Sequence, residues 1–307
     1  MNPKILPLAC FAMFGLLVVV AVVSPPVDVV SAVLGLAGGC LATPLLRRRG
    51  LLVWLWLIYS VVVLRWSPYL GLPLLLLLCA ARRGDIPISG NQRLLCLVIL
   101  LAILFFVLRE IQWILMGGFA GAVALLRRDR PLGWVGSGAV LSAMVLWLGW
   151  LFWSIWRNHM FFSVTLTPSF SPVWFRVTGS NWFGGVEPGE WYAASARIAE
   201  HHGLAVLGAY GFLLSVLFGC LVVFAAWHRE SFIRSLAAAT AALLTVHTLL
   251  HMCYLLNGRI FAVSLPFIHP FWSKGTEAMA EAACIGVVLG GVFFGRRIRQ
   301  ERSPQAR

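Results

Sequence analysis

His247 and His251 stand four residues apart in the otherwise apolar stretch Phe232–Leu256, so a helix would place both on one face. With His269 they could bind a metal ion. The motif holds no carboxylate, which favours packed or hydrogen-bonded histidines over ligands. Arg197 and Glu200 are spaced i, i+3, where a helix lets opposite charges pair. Arg109 and Glu110 are adjacent at the edge of another apolar run, and Glu281 is an acid inside the last one. An ionisable group at or within a bilayer is costly and is therefore a candidate for function.

The composition dictates that bilayer. Of 307 residues, 60% are hydrophobic and 11% charged, against about 45–50% and about 25% in a soluble domain. A water-soluble core has no room for that much apolar side chain, and the same figures exclude disorder, collagen and coiled coil. The expected fold is an all-α integral membrane domain covering residues 1–307. Charges and turn residues divide it into ten apolar runs: Ile5–Val23, Val27–Leu46, Leu51–Leu64, Tyr69–Ala81, Leu94–Leu108, Ile111–Leu126, Trp134–Trp156, Leu204–Trp227, Phe232–Leu256 and Ala278–Gly295. Each is expected to be a transmembrane helix, the third to sixth drawing on flanking residues or a thinner bilayer. Lys4 before an apolar stretch imitates a signal peptide. No small-x-small site precedes Pro25, so Met1–Ser24 is expected to stay as the first helix.

The basic residues orient the chain. With both termini cytoplasmic, 17 of the 24 Lys and Arg fall on the inner side, including the tail 296–307. Every short inner connection is then basic, as the positive-inside rule requires. This placement accounts for the net charge of +13 without nucleic acid. The cations left outside are Arg65, Arg109, Arg157, Arg176, Arg197, Arg259 and Lys274.

Two outer connections are long. Residues 157–203, between the seventh and eighth helices, carry prolines and glycines beside Trp174, Trp182 and Trp191, a composition suited to a folded interfacial loop. The second, 257–277, contains the apolar Leu265–Trp272. The seven cysteines lie in or beside apolar runs without a C-x-x-C pair and read as small hydrophobes. Gly117, Gly118 and Gly121, and the pair Gly286 and Gly290, are small-residue spacings for helix packing.

This order of parts resembles the SEDS family, the FtsW/RodA/SpoVE-like cell-wall polymerases of bacteria. Arg65-Trp66 looks like the family's Arg-Trp after the third helix, and Arg157, Pro168 and Pro172 fall where it has a basic residue and two loop prolines. Gly179-Ser180 resembles its Gly-Ser-Gly-Gly turn. The segment Ala196-Arg197-Ile198-Ala199-Glu200-His201-His202-Gly203-Leu204 is similar to its Ala-x-Ile-Ala-Glu-Glu-x-Gly-Leu, and Leu265-Pro266-Phe267-Ile268 to the start of its Leu-Pro-Phe-Ile-Ser-Tyr-Gly-Gly-Ser-Ser.

The resemblance implies a glycosyltransferase for lipid II at the outer face of the bacterial inner membrane. A sugar hydroxyl attacks a lipid-diphosphate sugar, which calls for a base at the hydroxyl and cations or a divalent metal at the departing diphosphate. Arg65, Arg109, Arg157, Arg176, Arg197, Arg259 and Lys274, with Glu200, are the implied substrate-binding set, because a guanidinium fork suits diphosphate. The implied partner is a class B penicillin-binding protein.

The catalytic motif departs from the family. Counting back from Glu200, the family's catalytic Asp falls on Tyr192, and a phenol of pKa near 10 is a poor base at neutral pH. A slipped register nominates Glu190, or Glu187, instead. The family's Pro-Asp-x-Gly survives as Arg109-Glu110-Ile111-Gln112, and its Ser-Tyr-Gly-Gly-Ser-Ser as His269-Pro270-Phe271-Trp272-Ser273-Lys274. Three readings follow: an active polymerase, a non-catalytic binder of a lipid-linked precursor or partner synthase, and a transporter. The last is disfavoured by few intramembrane polar residues and no inverted repeat.

Overall fold

The computed structural model describes residues 4–23, 26–46, 95–96, 98–102, 111–126, 194–228, 230–257 and 276–302. These residues are helical apart from short connections, as the sequence leads one to expect. The named elements are α1 (Ile5–Val23), α2 (Pro26–Leu46), α3 (Ile111–Leu126), α4 (Ala194–Trp227), α5 (Ser231–Asn257) and α6 (Thr276–Arg302). By length and hydropathy Ile5–Val23, His201–Trp227 and Ser231–His251 suffice to cross a membrane, and Asp28–Thr43 and Glu281–Phe294 are shorter apolar helices. The protein is a multi-pass membrane protein.

Local sequence explains the ends. Pro26 starts α2, where its missing N–H costs nothing, and Asp28 in the first turn meets the positive end of the helix dipole. Between α4 and α5 the turn is short: His228 N–H closes the last turn of α4 on Phe224, and His228 Nδ1 accepts the Glu230 N–H at 3.2 Å. Hydroxyls inside the helices bond to the carbonyl four residues back, Ser215 to Gly211, Thr245 to Ala241 and Thr248 to Leu244, each at 2.8 Å. In lipid that leaves few polar groups seeking water.

Two corrections to the expected boundaries appear. Helix α4 starts at Ala194, so the last residues of the 157–203 loop are helical, and the expected start at Leu204 is a kink. Gly203 there has φ 86°, a left-handed conformation that only glycine adopts without strain. At the other end α6 continues to Arg302, into the segment assigned to the tail.

Helix α5 is the central post. Within Ser231–His251, 72% is buried, against 33% for the corresponding stretches of α1 and α4. It packs on α3, α4 and α6, while α1 packs on α4 and α2 on α6. The core joins Met13 and Leu16 of α1, Leu217, Leu221 and Phe224 of α4, Ile233 and Leu236 of α5, and Ile285 and Val288 of α6.

The most extensive pairing is between α2 and α6, and glycine makes it possible. A Cβ on Gly35 would collide with the Met279 carbonyl, one on Gly39 with Ala283, and one on Gly286 with Leu36. The backbones therefore touch directly. Two polar bonds cross the seam: Cys40 Sγ donates to Gly286 at 3.1 Å, and the Thr43 hydroxyl lies 3.0 Å from its own Gly39 carbonyl and 3.3 Å from that of Val287. The packing role expected of Gly286 and Gly290 holds here. Gly118 and Gly121 of α3 likewise receive Leu101 and Leu100.

Candidate functional site

Most of the sequence-predicted site lies outside the described residues: Glu187, Glu190, Tyr192, Arg65, Arg109, Arg157, Arg176, Arg259, Lys274 and His269. Arg197 and Glu200 are placed on the backbone of the first arm of α4, before the Gly203 kink, and their side chains fall outside the described residues. Ile198 and Ala199 between them are buried, so this arm packs against the protein.

The structure does bring together two of the intramembrane candidates. His247 Nδ1 and Glu281 Oε1 are 2.6 Å apart, and both residues are buried. That separation is a short hydrogen bond, with the donor set by the tautomer of His247. Tyr210 of α4 and Cys284, one turn along α6 from Glu281, are buried as well. Two helices, α5 and α6, thus share one buried polar pair.

Its depth follows from helix geometry. At about 1.5 Å per residue, Glu281 is about 8 Å inside the start of α6, Tyr210 about 10 Å past the Gly203 kink, and His247 about 15 Å before the end of α5. These three helix ends lie on the same side of the bundle, the one the basic residues mark as outer. Asp28, 5% exposed, stands at the start of α2 on that side too. Among the described residues the buried carboxylates and imidazoles are Asp28, His247, His251 and Glu281, all in this half. The opposite half buries only hydroxyls, those of Thr43 and Ser235, while Thr240 sits near the middle.

His247 is therefore joined to a carboxylate that sequence spacing could not reveal, because Glu281 is 34 residues away on another helix. Among the described residues no three His, Cys, Asp or Glu side chains are grouped to hold a metal. Tyr210 and Asp28 are absent from the sequence-derived candidates. Asp28 carried a signal: an acid two residues after a helix-starting proline. Tyr210 carried none, being one aromatic in an apolar run. Among the described residues Cys10, Cys40, Cys96, Cys220 and Cys284 are free thiols, with Cys220 and Cys284 buried and Cys10 exposed.

No protein-family model and no curated protein matches the chain. Solved structures do. The rod shape determining protein RodA of Thermus thermophilus matches with a TM-score of 0.54 and 16% identity, covering 94% of this chain and 95% of that one. A mutant form of it gives the same score and identity over 94% and 96%. A chain from a peptidoglycan synthase complex, solved for the structural coordination of polymerization and crosslinking, gives 0.57 and 18% identity over 92% and 96%. At such identity the likeness speaks for architecture, and it agrees with the SEDS resemblance read from the residues. The chain has the fold of RodA over nearly its whole length.

Proposed function

We propose that this chain is a SEDS-like protein of peptidoglycan assembly, acting on lipid II at the outer face of a bacterial inner membrane as a glycosyltransferase. The observation that carries the reading is the RodA fold over 94% of the chain, coinciding with the ordered motifs from Arg65 to Ile268. In this reading a hydroxyl oxygen of the acceptor sugar attacks the anomeric carbon of the donor, and the bond to the lipid diphosphate breaks. Glu190 takes the hydroxyl proton. Arg65, Arg109, Arg157, Arg176, Arg197, Arg259 and Lys274 offset the charge developing on the diphosphate, with Glu200 in the binding set. A divalent metal could share that task. A class B penicillin-binding protein is the proposed partner, supported by the likeness to a chain from a synthase complex.

Tyr192 at the family's Asp position favours a second reading, a binder of the precursor that transfers nothing. Polymerisation of labelled lipid II by the purified protein, alone and with the transpeptidase, separates the two. Glycan product from the wild type that Glu190→Gln abolishes supports the enzyme. Product unchanged in Glu190→Gln removes Glu190 as base. Binding without product, with product restored by Tyr192→Asp, supports the second reading. A wild type that neither binds nor extends lipid II overturns both.

A further inference from the structure

His247 and Glu281 have no part in the proposed chemistry, yet each belongs to a helix that borders an outer loop, since residues 258–275 join α5 to α6. We propose that the two side chains form a positioning lock that fixes the outer ends of α5 and α6 relative to one another. That the loop so placed handles a lipid-linked precursor rests on the function proposed above; the lock itself does not.

The argument starts from how α5 and α6 meet. At the inner end Ile233 fills the space that a side chain at Gly291 would occupy. At the outer end His247 meets Glu281. The two contacts are about 21 Å apart along α5, from the rise per residue. Helix α6 packs more extensively on α2 than on α5, through the glycine seam, so its position is set on that side. The His247–Glu281 bond carries that position across to α5.

Close packing, which sets α6 on α2 through the glycine seam, is much less extensive between α5 and α6. A directional bond of 2.6 Å between side chains fixes both the rotation of α5 and its height against α6. With no water in the hydrocarbon to replace either partner, the bond stays made.

The test uses the full-length protein in lipid nanodiscs, read by hydrogen exchange. Glu281→Met keeps the volume and removes the bond; Glu281→Gln keeps an acceptor for His247. We expect Glu281→Met to speed exchange at residues 252–257 and 276–280 by about tenfold, with residues 231–236 and 288–292 unchanged. Glu281→Gln is expected to restore protection. Uniform acceleration along α5 and α6 would overturn the proposal, since a residue that merely stabilises acts that way. So would no change in Glu281→Met, or a Gln variant as loose as the Met one. Lipid II affinity measured on the same samples separates the two claims: wild type without affinity defeats the proposed function, while the exchange pattern still decides the lock.

Discussion

Gly286 of α6 lies so close to α2 that the Cys40 thiol donates to its carbonyl over 3.1 Å, and a Cβ at Gly286 would strike the Leu36 carbonyl. The same crossing leaves no room at Gly35 or Gly39, whereas Gly38, between them in sequence, has nothing within 4 Å. The seam is thus a matter of individual positions and not of glycine content. Gly39→Leu and Gly286→Leu should each lower stability by about 1–3 kcal/mol, the usual cost of overpacking. Gly38→Ala should be neutral or raise it by up to about 1 kcal/mol. Thermal unfolding in detergent, followed by exposure of buried cysteines, checks both.

Gly203 offers a different kind of test. Its φ of 86° separates the first arm of α4 from the spanning part. Gly203→Ala should cost about 1–3 kcal/mol, the penalty of an L-residue in a backbone region that essentially only glycine occupies, and the strain should appear locally. Faster exchange or proteolysis in residues 194–202, with the core of α4 still protected, is the expected result. Gly208→Ala, at a position with nothing within 4 Å, is the control.

These two features mark how far the sequence could be read. Runs such as Ile5–Val23 and Ile111–Leu126 end where their helices end, because an apolar stretch bounded by charges or turn residues fixes its own limits. The arm before Gly203 falls outside the apolar run because Arg197, Glu200 and two histidines break the apolar pattern, while the i, i+3 spacing of Arg197 and Glu200 already suits a helix there. The small-residue spacing of Gly286 and Gly290 announced close packing but not its partner. Pairings such as His247 with Glu281 depend on the rotation and height of two helices, and no spacing within one helix encodes those. The outer-loop residues that carry the proposed chemistry fall outside the described residues.

Thr43 puts a number on the polar part of the seam. Its hydroxyl proton is shared between the Gly39 and Val287 carbonyls, 3.0 and 3.3 Å away. Interhelical hydrogen bonds in membranes average about 0.6 kcal/mol and reach about 1.7. Thr43→Val keeps the shape and should cost an amount in that range, while Thr43→Ser, which keeps the hydroxyl, should cost less. A loss in Thr43→Ser with none in Thr43→Val would mean that the methyl, not the bond, is what matters.

Phe224 tests the apolar part. It is 0% exposed at the centre of the core, while Phe212, on the same helix, is 66% exposed toward lipid. In water Phe→Ala in a core costs about 3–5 kcal/mol, of which part is transfer and part is the cavity left behind. In lipid the transfer part largely vanishes, so Phe224→Ala should cost about 2 kcal/mol and Phe212→Ala well under 1. Unfolding midpoints of the two variants in one detergent give the comparison directly.

The seam between α2 and α6 also has a history in time. Thr43 and Val287 are 244 positions apart, and ribosomes add about 5–20 residues per second. For roughly 12–50 s after Thr43 is made, by that rate, the face bearing Gly35 and Gly39 waits in the membrane for its mate. Whatever occupies that groove meanwhile, lipid or an insertion factor, must leave when α6 arrives. Insertion of α6 therefore entails a displacement at the most extensive helix pairing among the described residues.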